Sequence, residues 1–597
     1  MNFWKTFLAA LAAVVIGSGV VFILSLIFGF SLLASFGGET TITQKNSVLY
    51  IDLGESIIDS PNVMPTIDIN SLSMESSITI LQALSALEYA AQDPNIEGVC
   101  IYQNGLGTIS ATNIEELRQA LLRFKQSGKF VVAYDDNFTQ SEYYLASVAD
   151  RVSMHPEGSI DWRGMACVTV FIKGLLDKLD VSVEIFRPTV CKYKSAVEPF
   201  FLTQMSEANR EQLESLAEDM WTTICEDVAA QRNIETAKLK ALAANLSVNT
   251  PEEAKKHGLI NEIEYEDELY KYLEEMGVKS NRRGELHKIS LGEYANNLTV
   301  VNPQMAGNQN VGIIYADGQI VDGNEVGSGY IFGNSLAQQI REARLDSSVK
   351  SVVVRVNSPG GSALASDIIW REMKLLQESK PVVISMGENA ASGGYYISAP
   401  ADYIIANKLT MTGSIGVFGM IPNISKLLKN RIGITVDYAL TSPEAMPMSY
   451  LNPMTERQKE VLLKSVDNIY TTFTSKVAEG RNLTIEQVYD IAEGRVWSGN
   501  QAVGNGLVDA NGGLHEAIAK AANLADLGAE FKLKEIKTPL TPFEAWLESM
   551  GMITAKACGI NYGIYGKELN SLVKDNLYIF THTGILMEMP QKIEVNL

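Results

Sequence analysis

Short runs of apolar, β-branched residues alternate along most of the chain with stretches of helical periodicity. The runs at 352–354 (VVV) and 382–384 (VVI) are continuously apolar, which is typical of strands covered on both faces. Residues 114–124 and 367–376 are predicted to form helices that follow Gly-rich turns. Strand–helix alternation of this kind predicts parallel βαβ units with right-handed crossovers, and therefore an α/β fold.

The pattern occurs twice in the same order. The first half reads VLYIDLGESIIDS, EGVCIYQNGLG, KFVVAYDD and YYLASVADRVSMHPEGSI, and the second reads VGIIYADGQIVDG, SVVVRVNSPGG, PVVISMGEN and YYISAPADYIIANKLTMTGSI. Near the end of each half, AKKHGLI (254–260) pairs with AVGNGLV (502–508). We therefore predict two related βαβ repeat domains at 46–278 and 310–530, joined by a largely polar linker at 279–309. Residues 531–597 form an extension outside both repeats.

Residues 7–36 carry no charged side chain and are rich in Leu, Ile, Val, Ala and Phe. The run exceeds both the roughly 20 residues that a helix needs to cross a bilayer and the roughly 7–15 apolar residues of a cleavable signal peptide. We therefore predict an uncleaved transmembrane anchor within residues 1–45. Because Lys5 precedes the run and Glu39 follows it, the positive-inside rule places Met1 in the cytoplasm. The predicted location is the inner membrane, single-pass, with the repeat domains on the periplasmic side.

Charge and composition exclude several classes of partner. The 597 residues carry a formal net charge of -21, and no cluster of Lys and Arg is present, so nucleic acid is not expected to bind. The 5 cysteines form no CxxC pair and the 5 histidines no HExxH motif. A disulfide framework, a metal site and a metal cofactor are therefore not expected.

Differences between the halves indicate candidate chemistry, because features shared by both are expected to be architectural. NSPGG (357–361) follows a strand of the second half, where the first half has QNGLG (103–107). Adjacent glycines between a strand and a helix leave backbone N–H groups exposed at the helix N-terminus, which suits an oxyanion or a phosphate. The alternative is a tight βα turn without chemistry.

The second half also carries AASGGY (390–395), in which Ser392 lies opposite Gln140 of the first half. Its small neighbours leave room for a substrate backbone, and a helix is predicted to begin at or after the glycines. The alternative is a serine that caps this helix. The segment is not the GxSxG elbow of the α/β hydrolases.

A nucleophilic serine needs a base, and no histidine lies near Ser392 in sequence. A lysine can replace histidine if burial lowers its pKa. The first half offers Lys194 in CKYKSAVEPF (191–200), after the predicted strand VSVEIF (181–186). The corresponding SPEAMP (442–447) has no lysine, so the serine and the lysine are each missing from the other half. A solvated surface lysine is the alternative to a Ser–Lys dyad.

ENAASGGYYIS with LTMTGSIGVFG, VNSPGGSA and CKYKSAVEPF closely resemble the signal peptide peptidase A family in its long, duplicated form, from about residue 1 to 550. The resemblance implies two tandem crotonase/Clp-like domains after the transmembrane helix. It implies Ser392 as nucleophile, Lys194 as general base and Ser414 in TGSIG as the residue that orients the lysine. The backbone N–H groups of Gly361 and Gly393 are the implied oxyanion hole.

The resemblance further implies a membrane-anchored serine endopeptidase that degrades released signal peptides and similar short peptides. It implies no cofactor and a homo-oligomer, which we expect to be a tetramer. Glu388 in MGENAAS departs from the smaller or apolar residue expected there. One alternative is an acyl-CoA hydratase or isomerase of the same superfamily, which binding of CoA would support. Another is a non-catalytic membrane scaffold, which would keep its cellular role after Ser392→Ala.

Overall fold

The computed structural model describes residues 43–61, 77–102, 109–301, 309–324, 329–528, 531–537 and 585–588, and two short strands at 67–68 and 73–74. The apolar run at 7–36, on which the predicted anchor depends, and the QNGLG segment at 103–107 lie outside the described residues. Within the described ranges, none of the helices combines the length and the apolar character that crossing a bilayer requires.

A parallel sheet forms the centre of the first half. The elements there are β1 (Ser47–Asp52), β2 (Ser56–Ile58), β3 (Ile67–Asp68), β4 (Ser73–Met74), β5 (Ser77–Thr79), α1 (Ile80–Gln92), β6 (Ile96–Tyr102), α2 (Ala111–Lys125), β7 (Phe130–Phe138), α3 (Gln140–Ala146), β8 (Arg151–Ile160), α4 (Lys173–Lys178), β9 (Ser182–Phe186), α5 (Glu198–Phe201), α6 (Glu207–Arg232), α7 (Thr236–Ala244), α8 (Pro251–His257), β10 (Glu262–Ile263), α9 (Glu266–Glu275), β11 (Lys288–Ser290) and α10 (Leu291–Val301). The sheet order is β10, β8, β7, β6, β1, β11, and all neighbours are parallel. Strands β1 and β6 are almost entirely buried, as their continuous apolar sequence requires.

The second half repeats this architecture. Its elements, with those of the extension, are β12 (Asn310–Asp317), β13 (Gln319–Val321), β14 (Tyr330–Phe332), α11 (Gly333–Leu345), β15 (Val349–Ser358), β16 (Gly360–Ser362), α12 (Ala363–Gln377), β17 (Val382–Ala391), α13 (Gly393–Ser398), β18 (Tyr403–Ala406), β19 (Met411–Gly413), β20 (Phe418–Asn423), α14 (Ser425–Leu427), a π turn (Leu428–Ile432), a 3-10 turn (Pro443–Ala445), α15 (Glu456–Arg481), α16 (Ile485–Ile491), β21 (Val496–Ser498), α17 (Gly499–Gly504), β22 (Ala510–Asn511), α18 (Leu514–Leu524), β23 (Lys532–Glu535) and β24 (Ile585–Glu588). The sheet order is β21, β19, β17, β15, β12, β23, with β18 between β17 and β22. Only β21 is antiparallel to its neighbour in this sheet.

The mixed α/β fold and the two helices predicted from periodicity are confirmed, because 114–124 lies within α2 and 367–376 within α12. Both helices begin in the same way. The Ser110 and Ser362 hydroxyls accept the N–H groups of Asn113 and Ala365, each at 3.2 Å. A serine N-cap of this kind satisfies an N–H group that the helix itself leaves without a partner.

Corresponding strands complete the edges of both sheets. Strand β11 falls in the range predicted as linker, 279–309, and pairs in parallel with β1. Strand β23 falls in the range predicted as extension, 531–597, and pairs in parallel with β12. Both segments therefore contribute to the sheets of the repeats that precede them.

A third sheet joins the two halves, in the order β14, β13, β16, β24, β20, β9. Strand β9 comes from the first half and runs antiparallel to β20 of the second, with Phe186 opposite Gly419. This pairing brings the YKSA segment that follows β9 against the second half.

The hydrophobic core is also continuous between the halves, since Leu49 and Val99 share one buried cluster with Val353 and Val383 of the second sheet. A buried ion-pair cluster lies at the same boundary. Arg355 on β15 donates from Nε to Asp59 and from Nη1 to Glu116, both at 2.7 Å. Removing one partner of a buried pair leaves an uncompensated charge, so this cluster fixes the relative position of the two sheets.

Candidate active site

Ser392 occupies the sharp turn between β17 and α13. Its backbone has φ 55° and ψ -113°, a conformation that L-residues rarely adopt, and its N–H donates to the Gly413 carbonyl at 2.8 Å. The side chain makes no cap hydrogen bond to α13, so the helix-capping alternative does not account for this serine. The strand–serine–helix arrangement of the hydrolase elbow is thus present without the GxSxG motif.

Lys194 lies in the irregular segment between β9 and α5. Its side chain and that of Ser392 are both fully buried, and its Nζ lies 2.7 Å from Ser392 Oγ. The same nitrogen lies 2.9 Å from the Ser414 hydroxyl and 3.0 Å from the Ser414 carbonyl. The structure therefore brings together the three side chains that the sequence singled out, from opposite halves of the chain. Burial of an ammonium group disfavours its charged form.

Ser414 is held by the backbone directly after β19. It has φ 49°, is fully buried, and its N–H donates to the Arg495 carbonyl at 2.7 Å. Both of its oxygens reach the lysine amine because the turn presents them on the same side. Ser392 and Ser414 are therefore two serines with strained backbone at one site.

Two glycines that the sequence analysis did not single out make room for Lys194. A Cβ added to Gly494, which has φ 81°, would lie 2.6 Å from the Lys194 Cβ. A Cβ added to Gly416 would lie 3.2 Å from the Lys194 Cδ. Arg187 holds the segment from the other side by donating to the Lys194 carbonyl at 2.9 Å. Lone glycines are common in any sequence, so only the packing identifies these two.

The glycines of the SPGG segment lie against the nucleophile. Gly360 and Gly361 in β16 have φ 107° and 146°, which favour glycine, and a Cβ on Gly361 would lie 2.0 Å from the Ile320 carbonyl oxygen. A Cβ on Gly393 would lie 3.2 Å from the Gly360 Cα. Gly360 and Gly361 thus present only backbone atoms, and Gly360 lies beside Gly393, the residue that follows Ser392. The corresponding first-half segment lies outside the described residues, so this difference between the halves stays a sequence observation.

Asn357 ties together the strand ends around the site. Its amide group donates to Asp317 at 3.0 Å and accepts the Asn389 N–H at 3.1 Å. Burial, and then the nearby negative charge of Asp59, raises the pKa of Asp317 to about 7. Glu388, the residue that departs from the family pattern, adds a smaller effect in the same direction. A carboxyl group close to the SPGG turn therefore changes charge near neutral pH.

Comparison with known proteins places this site in a family. The chain matches Peptidase family S49 over residues 123–280 and 374–528. It is 35% identical over 527 residues to Protease 4 of Salmonella typhi, covering 85% of this chain and 84% of that one. It is 32% identical over 484 residues to the chloroplastic serine protease SPPA of Arabidopsis thaliana, covering 80% of this chain and 70% of that one. Among solved structures, a ClpP1 mutant of Listeria monocytogenes matches 34% of this chain and 94% of its own, at 16% identity and a TM-score of 0.24, which is too weak a likeness to bear on the fold.

The fold is a duplicated α/β fold in which a buried lysine amine lies within hydrogen-bond distance of a buried serine hydroxyl. Together with these relatives, it defines a serine protease. The chain belongs to peptidase family S49, in the long form that carries the family domain twice. The membership favours the protease over both alternatives, the CoA-dependent enzyme and the scaffold.

Proposed function

We propose that the protein is a membrane-anchored serine endopeptidase in which Lys194 activates Ser392. The observation that carries the proposal is the 2.7 Å contact between the lysine amine and the serine hydroxyl, both fully buried. The residues come from different repeats, and each repeat lacks the other's group. A nucleophile and a base within hydrogen-bond reach, with a third group that orients the base, is the general arrangement of serine-based covalent catalysis.

The mechanism uses each residue in a defined step. The neutral amine of Lys194 takes the proton of Ser392 Oγ as this oxygen attacks the peptide carbonyl. The N–H groups of Gly361 and Gly393 stabilise the oxyanion, and loss of one such donor typically costs about 10²–10³ in rate. Ser414 keeps the amine directed at Ser392. Lys194 then protonates the leaving amine, and water hydrolyses the acyl-enzyme.

The proposed substrates are released signal peptides and similar short peptides at the periplasmic face of the inner membrane. The support is the motif resemblance and the uncharged run at 7–36, which is long enough to hold the chain at a bilayer. No cofactor enters the mechanism.

The test compares two neighbouring lysines in the full chain, purified in detergent and assayed with a fluorogenic apolar peptide. Lys194→Ala should lower kcat/KM by at least about 10⁴-fold. Lys192→Ala should stay within about 2-fold of wild type, since Lys192 lies at the surface in an ion pair with Glu493 of 3.0 Å. Wild-type activity should rise with pH, because only the neutral amine accepts a proton. Equal loss in both variants would reject Lys194 as the base.

We also propose a homotetramer in which repeats of adjacent copies pair as β9 and β20 pair within one chain. Residues 435–439 correspond to β9, and nearby Ile434 and Val436 are 50% and 42% exposed. Residues 165–170 correspond to β20, and Val168 and Val170 are 64% and 45% exposed. Two different surfaces that match each other form a head-to-tail contact, which closes into a ring when the rotation allows.

Light scattering after size exclusion tests this assembly. Val436→Lys should convert the oligomer to smaller species. Val461→Lys, at a residue 50% exposed on α15, should not change the assembly. A wild-type monomer would exclude the contact. The expectation of four copies comes from the family resemblance, and the molar mass from the same light-scattering measurement tests it.

A further inference from the structure

Helix α6 of the first half packs against β21 of the second half and is hydrogen-bonded to it on two successive turns. The hydroxyl of Ser498 donates to the Asp219 carboxylate at 2.5 Å. Two turns earlier in the helix, Gln212 Oε1 accepts the N–H group of Val496 at 3.2 Å. Residues seven apart lie on the same face of a helix. One face of α6 therefore attaches the first half to β21.

The other end of the Gln212 amide contacts the segment that carries the candidate base. Its Nε2 lies 2.9 Å from the Tyr193 carbonyl and 3.0 Å from the Ser195 hydroxyl, so it bonds to both neighbours of Lys194. The Asn209 side-chain oxygen lies 3.0 Å from the same nitrogen. Gln212 is 1% exposed. A single buried amide thus holds the backbone of Lys194 in place.

The same amide is connected to Ser414 through the backbone of the second half. Gln212 accepts the N–H group of Val496, and the preceding carbonyl, that of Arg495, accepts the Ser414 N–H group at 2.7 Å. The Ser414 hydroxyl in turn lies 2.9 Å from the Lys194 amine. Gln212 therefore fixes the spacing between the backbone that carries Lys194 and the backbone that holds Ser414.

This position requires a donor and an acceptor on one side chain. The group on the first-half side is the Tyr193 carbonyl, which only accepts, and the group on the second-half side is the Val496 N–H, which only donates. A carboxylate lacks the donor, an ammonium group lacks the acceptor, and an apolar side chain leaves both buried backbone groups without this partner. The amide of Gln212 satisfies both.

The repeat without the base also lacks this amide. Helices α6 and α15 are both 26 residues long and begin after the N-cap residues Ser206 and Thr455. Counted from these caps, Gln212 corresponds to Val461, which is 50% exposed. Gln212 is therefore a polar group of one half only, as Lys194 is.

We propose that Gln212 is a positioning residue of the Ser–Lys dyad, which holds the Lys194 segment against the segment that orients Ser414. The inference rests on the proposed function, because it requires Lys194 to be the base. Without the amide, the two segments shift relative to each other and the lysine amine is displaced from Ser392. Gln212 bonds to the backbone around the base, so its loss should lower kcat and leave KM nearly unchanged.

The test compares two buried glutamines in the full chain, purified in detergent and assayed with the fluorogenic apolar peptide. Gln212→Met should lower kcat by about 10²-fold, the effect of a displacement of about 1 Å at a catalytic group, with KM within about 3-fold. Gln140→Met removes an amide that accepts two backbone N–H groups on the other side of the first half. It should lower the urea midpoint similarly and keep kcat within about 2-fold. Equal kcat in the two variants would overturn the proposal.

A second substitution keeps the test decisive if Gln212→Met does not fold. Gln212→Asn retains the amide but is one methylene shorter, so it cannot reach both segments. It should fold and lower kcat by at least about 10-fold. Wild-type kcat in Gln212→Asn would show that the bridge between the segments is dispensable, and would overturn the proposal.

A double-mutant cycle with Ser414→Ala separates positioning from general stability. Because Gln212 is proposed to act through the contact between Lys194 and Ser414, the two losses should not multiply. Adding Gln212→Met to Ser414→Ala should lower kcat by less than about 3-fold more. A further loss of about 10²-fold would show that Gln212 acts independently of this contact, against the proposal.

Lys194→Ala in the same assay separates this inference from the proposed function. If Lys194→Ala is inactive while Gln212→Met matches Gln140→Met, the positioning role is wrong and the proposed function stands. If Lys194→Ala retains activity, the proposed function fails and the role of Gln212 fails with it.

Discussion

The same turn of the repeat is relaxed in the first half and strained in the second. Between β7 and α3, Thr139 has φ -67° and forms a capping box with Glu142. Between β17 and α13, Ser392 has φ 55° and makes no cap hydrogen bond. Strained backbone of this kind costs of order 1–3 kcal/mol and persists only where the surrounding structure enforces it. The strain is found in the copy that carries the candidate nucleophile.

Features that both halves share prove to be architectural. Lys129 donates to the carbonyls of Ala90 and Asp93, and Lys380 makes the equivalent bonds to Ala343 and Asp346. Two other pairs behave alike. Asp150 and Asp402 accept an N–H group near the start of a strand, from Val131 and Val382. The hydroxyls of Tyr143 and Tyr395 donate to the carbonyls of Leu259 and Leu507. These duplicated polar groups hold the fold, whereas Ser392 and Lys194, each present in one half only, meet at the candidate site.

The prediction with the largest expected effect makes the same substitution, to alanine, at equivalent positions of the two halves. Ser392→Ala should lower peptide cleavage by at least about 10⁴-fold and leave the folded state intact. Gln140→Ala, at the corresponding position, should leave kcat/KM within about 2-fold. It should lower the free energy of unfolding by about 1–3 kcal/mol. The reason is that the Gln140 side chain accepts the N–H groups of Arg163 and Gly164 at 3.1 and 2.9 Å.

Peptide assays and urea unfolding of both variants give the answer. Comparable losses of activity would mean that Gln140 supports the site through the interface between halves. A Ser392→Ala protein that still cleaves the peptide would exclude Ser392 as the nucleophile.

A second comparison separates backbone strain from crowding of the lysine. Gly494 and Gly128 have φ 81° and 85°, but only Gly494 faces Lys194, and a Cβ on Gly128 meets no described atom within 4 Å. Gly494→Ala should therefore lower kcat by at least about 10²-fold, because a displacement of about 1 Å at a catalytic group has this effect. Gly128→Ala should cost about 1 kcal/mol of stability and no activity. Similar activity in the two variants would show that Lys194 tolerates displacement.

A third comparison concerns equivalent residues of α2 and α12. Glu115 on α2 faces the other half and accepts the N–H groups of Lys408 and Leu409 at 3.0 and 3.1 Å. Its counterpart Asp367 on α12 accepts the hydroxyl of Tyr396 within its own half. Burial raises the pKa of Glu115 to about 7, because the charged form loses its hydration.

The folded state then binds more protons than the unfolded state between the ordinary glutamate pKa and about pH 7. The contribution of Glu115 to stability is present at acid pH and is lost as the pH rises through 7, on the order of 1–3 kcal/mol. Glu115→Gln should flatten the fall in stability between pH 5 and pH 8, measured by urea unfolding. Asp135 and Asp317, whose pKa values burial also raises to about 7, preserve part of the slope. An unchanged slope would exclude Glu115 as its source.

The sequence predicted the parts of the molecule that local patterns determine. Continuous apolar runs identified β15 and β17, and the asymmetry of the repeat identified Ser392 and Lys194. The approach of these two side chains depends on the pairing of β9 with β20, which no local pattern reveals. The space for the Lys194 side chain depends on Gly494 and its backbone conformation, and a lone glycine in the sequence indicates neither. Strand β24 has only four residues, and its position follows from two partners more than 150 residues away in the chain.

The smallest expected effect is also the one that the duplication predicts most directly. The hydroxyls of Tyr143 and Tyr395 donate to the carbonyls of Leu259 and Leu507, both at 2.8 Å and both buried. Tyr143→Phe and Tyr395→Phe should each lower the free energy of unfolding by about 1 kcal/mol, measured by urea unfolding. Neither should change kcat/KM by more than about 2-fold, although Tyr395 is only three residues from Ser392. A selective loss of activity in Tyr395→Phe would show that a residue shared by both halves also supports catalysis. The distinction between shared, architectural residues and unshared, catalytic ones would then not hold for the shared residue nearest Ser392 in sequence.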